Sequence, residues 1–207
     1  MASEIMWTPK KDFMESSALY KFSKKLGFDS YAYEDLHAWS IKNKGDFWKA
    51  VWDFTDVIGD SGSINFISNP DKLMTGAQFF PEARLNLAEN LLRGKDNFLA
   101  VVEADESGNR KEFTLGKLKE MVSKAVEGLR EIGIQSGDRV AAILPNRIES
   151  LVSLLASASI GAIWTSCSPD FGTKGIIDRI GQTTPKALFT TSIYRYNAKE
   201  HDFSSDR

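Results

Sequence analysis

Between Ser136-Gly137-Asp138 and Pro145-Asn146 the chain passes through Val140-Ala-Ala-Ile-Leu144 without one polar residue. A strand with one wet face alternates apolar and polar side chains, so a run that is apolar throughout has both faces covered. Helices supply that cover in an α/β sheet. The run therefore predicts a buried parallel strand, Arg139 to Leu144, entered from a Ser-Gly-Asp turn and ended by proline. Its surroundings agree. Leu115 to Ile132 carries Leu118, Met121, Val122, Ala125, Val126 and Leu129 at three- and four-residue steps, which predicts a long amphipathic helix. Thr114 suits its N-cap and Gly133 its C-terminal turn. Ile148 to Ala158 is the next expected helix, Gly161 to Ser166 a buried strand, Thr173 to Thr183 a helix and Ala187 to Thr191 a strand. This alternation predicts right-handed crossovers and a doubly wound, mostly parallel sheet. Ahead of it, Phe98 to Glu103 and Arg110 to Thr114 flank Glu106-Ser107-Gly108-Asn109, a hairpin pattern.

The segment before residue 74 has a different texture. It is dense in aromatics, with Phe22, Trp39, Phe47, Trp48, Trp52 and Phe54 among them. Helices are expected over Glu15 to Lys25 and over Lys44 to Val57, the second capped by Asp46. Aromatic residues at helical spacing pack into cores far more often than they cage ligands. Gly76 and Pro81 punctuate a loop, and Arg84 to Arg93 follows as a helix. Two segments result, 1–95 and 96–207.

Composition excludes several classes. With 42% hydrophobic and 26% charged residues the chain is globular. The net charge of -2 and the scattering of its 26 basic residues exclude nucleic acid and anionic membranes as expected partners. The longest mostly apolar run, Leu151 to Trp164, is broken by serines and is too short for a bilayer. Met1 to Lys10 has no apolar signal core. The single cysteine, Cys167, forms no internal disulfide, and a reducing, cytoplasmic compartment is expected. His37 and His201 lie near opposite ends of the chain and share no zinc spacing with Cys167, so no metal site is expected.

Ligands of open α/β sheets sit beyond the carboxyl ends of the strands. Three such ends are expected here: Leu144-Pro145-Asn146, Ser166 to Gly172, and Thr190-Thr191-Ser192. The middle loop, Ser166-Cys-Ser-Pro-Asp-Phe-Gly172, brings hydroxyls and a carboxylate to a helix start, where backbone amides can face an anion. The same residues also serve as a plain cap, with Asp170 or Thr173 bonding the first turn. Cys167 has no neighbouring histidine to activate it and reads as a small buried apolar residue. The sequence holds no G-x-x-x-x-G-K-[ST], no G-x-G-x-x-G, no G-x-S-x-G and no Gly/Ser/Thr-rich phosphate cradle. No catalytic residue is assigned.

Ser136-Gly137-Asp138-Arg139-Val140-Ala141, with Leu144-Pro145-Asn146 and Glu149, resembles the adenylate-forming acyl-CoA synthetase superfamily. Phe113-Thr114 through Leu129-Arg130 is similar to the helix that precedes that strand there. Ala158-Ser-Ile-Gly-Ala-Ile-Trp164 and Cys167-Ser-Pro-Asp-Phe-Gly172 resemble its acetoacetyl-CoA synthetase branch. Leu36-His-Ala-Trp-Ser40, Phe47-Trp48 and Trp52-Asp53-Phe54 resemble the N-terminal cap of that branch, which acetyl- and propionyl-CoA synthetases share in looser form. The stretch from Leu85-Asn86 to Arg93 is similar to the segment joining cap to large domain, and Tyr196-Asn197 with Lys199-Glu200-His201 also fits.

The resemblance implies a helical cap over 1–95 and, over 96–207, the start of a truncated adenylate-forming large domain. It implies an acid–thiol ligase of lipid and ketone-body metabolism using ATP, magnesium and coenzyme A, in which acetoacetate attacks the α-phosphorus and the thiol then displaces AMP. It places possible coenzyme A contacts at Ser168, Pro169, Asp170, Arg195 and Lys199. The sequence departs from the acetyl-CoA enzymes, which have glycines and arginines where Pro169, Asp170, Tyr196 and Lys199 stand, and the Asp170 charge repels phosphate. ATP contacts and the catalytic lysine fall outside these residues, so the expected partner is the remaining C-terminal part of the same polypeptide. This piece alone is expected to be inactive, with exposed apolar sheet edges. A non-catalytic coenzyme A-binding or interaction module, and a ligase for another short acid, remain as alternatives.

Overall fold

The computed structural model describes residues 6–29, 31, 33–68 and 73–202. They form two compact units, Met1–Leu85 and Asn86–Arg207.

The first unit holds helices α1 (Lys11–Ser16), α2 (Ala18–Lys25), α3 (Tyr33–Lys42) and α4 (Lys44–Phe54), then the two-stranded antiparallel pair β1 (Phe66–Ile67) and β2 (Gln78–Phe79). The helix expected over Glu15 to Lys25 is divided. Ser17 takes an extended backbone, and its hydroxyl accepts the Tyr20 amide, so a cap closes α1 and opens α2. Asp46 does not cap α4. Asn43 occupies the N-cap with its side chain bonded to the Trp39 carbonyl and not to the first turn, and Asp46 lies in that turn, where its charge complements the helix dipole. The aromatics meet in an edge-to-face chain. Phe22 packs on Phe54 and Phe47 at 5.1 and 6.1 Å, Trp39 on Phe47 at 6.2 Å, and Trp48 on Phe79 at 6.2 Å. These centroid distances fall in the favourable range for aromatic pairs.

The second unit begins with α5 (Leu87–Leu91) and the hairpin β3 (Leu99–Ala104) and β4 (Arg110–Thr114), which leads into α6 (Leu115–Glu131). There follow β5 (Arg139–Ile143), α7 (Ile148–Ile160), β6 (Ile163–Cys167), α8 (Thr173–Ile180), β7 (Ala187–Thr190) and the hairpin β8 (Ile193–Tyr196) and β9 (Lys199–Asp202). Residues 86–95, grouped with the first segment from sequence, lie in this unit. The Asn86 side chain bonds the carbonyls of Ala158 and Ser159, and Ala88 is buried in the core.

β5 is the centre of a three-stranded parallel sheet of order β6-β5-β7. Val140, Ala141 and Ala142 are wholly inaccessible to solvent. Successive strand residues point to opposite faces. Val140 packs with Leu118, Val122, Leu129, Val152 and Leu155 of α6 and α7, while Ala141 and Ile143 pack with Ile176 and Ile180 of α8. Helices therefore cover both faces, as the apolar run demands. Thr114 caps α6 by accepting the Lys117 amide. The serines of α7 are reconciled with burial by bonding back one turn: Ser153 donates to the Glu149 carbonyl at 2.7 Å and Ser157 to that of Ser153 at 2.8 Å. Gly161 ends α7 at φ +81, a left-handed conformation that favours glycine.

At the amino end of the sheet two side chains tie the loops. Lys186 Nζ donates to the Gly133 carbonyl at 2.7 Å and to Asp138 at 2.8 Å. Arg139 donates to the Thr183 carbonyl and to Thr184 Oγ1.

Candidate functional site

A cavity of about 950 Å³ opens at the carboxyl ends of β5 and β6. Leu144, Pro145 and Asn146 form its floor after β5, and Ser166 to Asp170 form one wall after β6. Glu103 to Glu106, at the tip of the β3–β4 hairpin, form a second wall, and Ile193 to Tyr196 of β8 a third. A smaller cavity of about 270 Å³ lies beside it, between Pro145 and Thr190–Thr191.

The structure brings Ser168, Pro169, Asp170 and Arg195 together on this cavity and leaves Lys199 off its lining, on β9 opposite Tyr196. Pro169 is buried, whereas Asp170 is exposed. The loop is internally bonded. Ser168 Oγ donates to Asp170 Oδ2 at 2.8 Å and accepts the Asp170 amide at 3.3 Å. Asp170 therefore does not cap α8. Gly172 takes the N-cap position, and no side chain bonds the first turn, so Thr173 does not cap it either. Burial, then the charge and hydrogen bonding of Asp170, push the Tyr194 hydroxyl's pKa up.

Cys167 lines the same wall. Burial raises its thiol pKa, against a smaller opposing effect of Arg179. A thiol held protonated is a poor nucleophile. The Arg179 guanidinium sits 4.0 Å from the centroid of the Phe171 ring and braces the loop from outside the cavity.

Glu103, Glu106, Lys111 and Arg147 join the site unannounced by any local motif. Glu103 supplies the cap that Arg147, at the N-cap of α7, does not provide. Its carboxylate accepts the Ile148 amide at 2.8 Å and pairs with Lys111 at 3.5 Å. Glu106 accepts the amides of Asn197 and Ala198 at 2.9 and 2.8 Å. Those two backbone bonds, aided by Arg195, hold its carboxyl below the ordinary glutamate range. Asp105 is lowered chiefly by the Asn109 side chain, with a further contribution from Arg195. Glu103, Glu106 and Lys111 belong to the one β3–β4 hairpin, and only tertiary packing sets that hairpin against Arg147 at the start of α7 and against the Asn197-Ala198 turn.

Lys111, Arg147 and Arg195 give the cavity cations suited to an anionic ligand, set among carboxylates already engaged with amides and lysine. Among the described residues no group of three or more His, Cys, Asp and Glu stands where it could hold a metal ion. Among them also, no helix is long and apolar enough to cross a membrane.

The family described as AMP-binding enzyme matches residues 89–206, more than half of the chain. The chain is 41% identical to the acetoacetyl-coenzyme A synthetase of Rhizobium meliloti (strain 1021), over 99% of its own length and 32% of that protein's. It is 39% identical to the malonamoyl-CoA synthetase vrtB of Penicillium aethiopicum, over 96% of this chain and 28% of that one. Among solved structures, the acetoacetyl-CoA synthetase from Streptomyces lividans superposes with a TM-score of 0.87 at 33% identity, covering 99% of this chain and 32% of that one. The chain thus spans about a third of the length of the relatives it matches.

Proposed function

The chain belongs to the AMP-binding enzyme family, and from that premise we propose that it forms part of an ATP-dependent acid–thiol ligase whose acid is acetoacetate. The reaction joins acetoacetate, ATP and coenzyme A to give acetoacetyl-CoA, AMP and pyrophosphate, by way of the acyl-adenylate. A cytoplasmic setting belongs to the same proposal. So does the assignment of the first unit, Met1–Leu85, as a cap of acetyl-CoA-synthetase type and of the second, Asn86–Arg207, as the beginning of the AMP-binding domain.

The task of the cavity in this reading is to receive coenzyme A. The observation that carries it is the position of Ser168, Pro169, Asp170 and Arg195 around one opening at the strand carboxyl ends. Arg195 and Lys111 meet the phosphates as cations. Asp170, bonded by the Ser168 hydroxyl, shows the ligand less of its charge than its sequence position suggests. Lys199, one strand over from Tyr196, adds positive potential behind the hairpin. The sequence holds no phosphate cradle and the described residues no metal-holding group, so no step through ATP or magnesium is assigned to these residues.

Titration of coenzyme A into the purified chain by calorimetry tests this. Micromolar binding that weakens at least tenfold in Arg195→Ala is the expected result, and an absence of heat overturns the assignment of the cavity. Incubated alone with acetoacetate, ATP and coenzyme A, the chain is expected to release no pyrophosphate.

A second reading has its own support. The relative from Penicillium aethiopicum is named for a different acyl group at 39% identity, so another short acid is compatible with these residues. Parallel turnover of acetoacetate and malonamate by a full-length ligase carrying this chain separates the two.

A further inference from the structure

The β8–β9 hairpin closes through Asn197-Ala198, a two-residue loop between the paired residues Tyr196 and Lys199. Both loop residues are left-handed, at φ 52 and 59, and neither is glycine. Such a turn matches the twist of the strands but is normally built from Asn-Gly or Gly-Gly, because a Cβ is strained there. The two loop amides of a turn of this kind point away from the hairpin. Here both are taken by a single carboxylate, that of Glu106, at 2.9 and 2.8 Å. Glu106 sits at the tip of the β3–β4 hairpin, whose own turn is ordered by Asp105. The Asp105 carboxylate accepts the amides of Ser107 and Asn109 and the Asn109 side chain. Two hairpin tips thus meet across the mouth of one cavity, and the second carries Arg195 on its wall.

We infer that Glu106 is a positioning residue, a carboxylate latch that holds the strained Asn197-Ala198 turn and thereby keeps the Arg195 strand closed over the cavity. A glycine loop would adopt the turn without strain; in the Asn-Ala loop the two bonds to Glu106 offset the cost of a Cβ at positive φ. The turn is consequently conditional on its latch. Releasing Glu106 frees the hairpin to swing from the mouth while the sheet beneath it stays intact. The anchor of the sheet is the buried β5, which contributes only Ala142 to the lining.

The single cysteine supplies a probe, since Cys167 lines the cavity behind the hairpin. Its rate of modification by a bulky aromatic disulfide, 5,5′-dithiobis(2-nitrobenzoate), is measured with amide exchange in the full chain. In Glu106→Ala the thiol rate is expected to rise at least fivefold. Exchange at Asn197 and Ala198 should rise at least tenfold, with β5 amides as protected as before. Glu106→Asp, one methylene shorter, should fall between. Ala198→Gly added to Glu106→Ala should return the thiol rate at least halfway, because glycine adopts the turn without strain. Unchanged rates in Glu106→Ala overturn the latch, and so does loss of protection at Val140 and Ala142 in step with the hairpin. These readouts use no coenzyme A, so calorimetric silence toward that ligand leaves the latch standing.

Discussion

Asn86 donates its side-chain amide to the carbonyl of Ala158 at 3.0 Å, across a separation of 72 residues in sequence. The same side chain accepts the amides of Ala88 and Glu89 at 2.9 and 3.2 Å and donates to Ser159 at 3.2 Å. One residue therefore caps the start of α5 and satisfies carbonyls at the end of α7.

Asn86→Ala is expected to lower unfolding free energy by about 2–3 kcal/mol, the loss of a cap together with the exposure of partly buried carbonyls to no donor. Asn86→Asp keeps the cap but turns a carboxylate toward two carbonyls, and should still cost about 1–2 kcal/mol. Urea midpoints of the three proteins check the order. A midpoint in Asn86→Ala equal to that of the parent would show that the contact contributes nothing.

The tie between Asp138 and Lys186 makes stability depend on acid. The Lys186 ammonium and then the Gln135 amide lower the Asp138 pKa in the folded chain. A depressed folded-state carboxyl contributes stability that is complete above its unfolded value and is lost as pH falls through the folded one. The affected window lies below about pH 4, where unperturbed aspartate begins to take up protons. Lys186 is half exposed and Asp138 partly so, and the effect is therefore screened by salt. Asp138→Asn should flatten the acid limb of a plot of thermal midpoint against pH, and added salt should flatten that of the parent. Parallel limbs in parent and variant would remove Asp138 from the account.

The parallel sheet carries apolar side chains to its margins. β6 and β7 each pair only with β5 among the described residues, and Ile163 of β6 and Leu188 of β7 are 55% and 50% exposed. Unprotected edges with apolar side chains favour association. The chain is expected to bind an anilinonaphthalene dye and to self-associate as concentration rises. Ile163→Lys should reduce both, since a charge on an edge opposes pairing. A monodisperse, dye-silent chain in light scattering would contradict it.

Much of the second unit was legible locally. The strand Arg110 to Thr114, the long helix beginning at Leu115 and its Thr114 cap follow from period and cap chemistry, which act within a turn or two. The misplaced features failed for equally local reasons. Ser17 broke an expected helix because its hydroxyl found the Tyr20 amide, and Asp170 left the cap of α8 because it found Ser168. The strands of the last hairpin went unseen, because its loop is Asn-Ala where a sequence signal requires Asn-Gly.

The sequence by itself therefore determined an α/β sheet covered on both faces, since an unbroken apolar run and amphipathic helices can be satisfied in few other ways. Resemblance to known synthetases, rather than periodicity, pointed to Ser168, Pro169, Asp170, Arg195 and Lys199 as contacts. Tertiary structure decided which of those residues share a cavity and what surrounds them. Glu106 reaches Asn197 across 91 residues and Glu103 reaches Ile148 across 45. Contacts of that separation depend on how whole hairpins pack, and no window of neighbouring residues contains them.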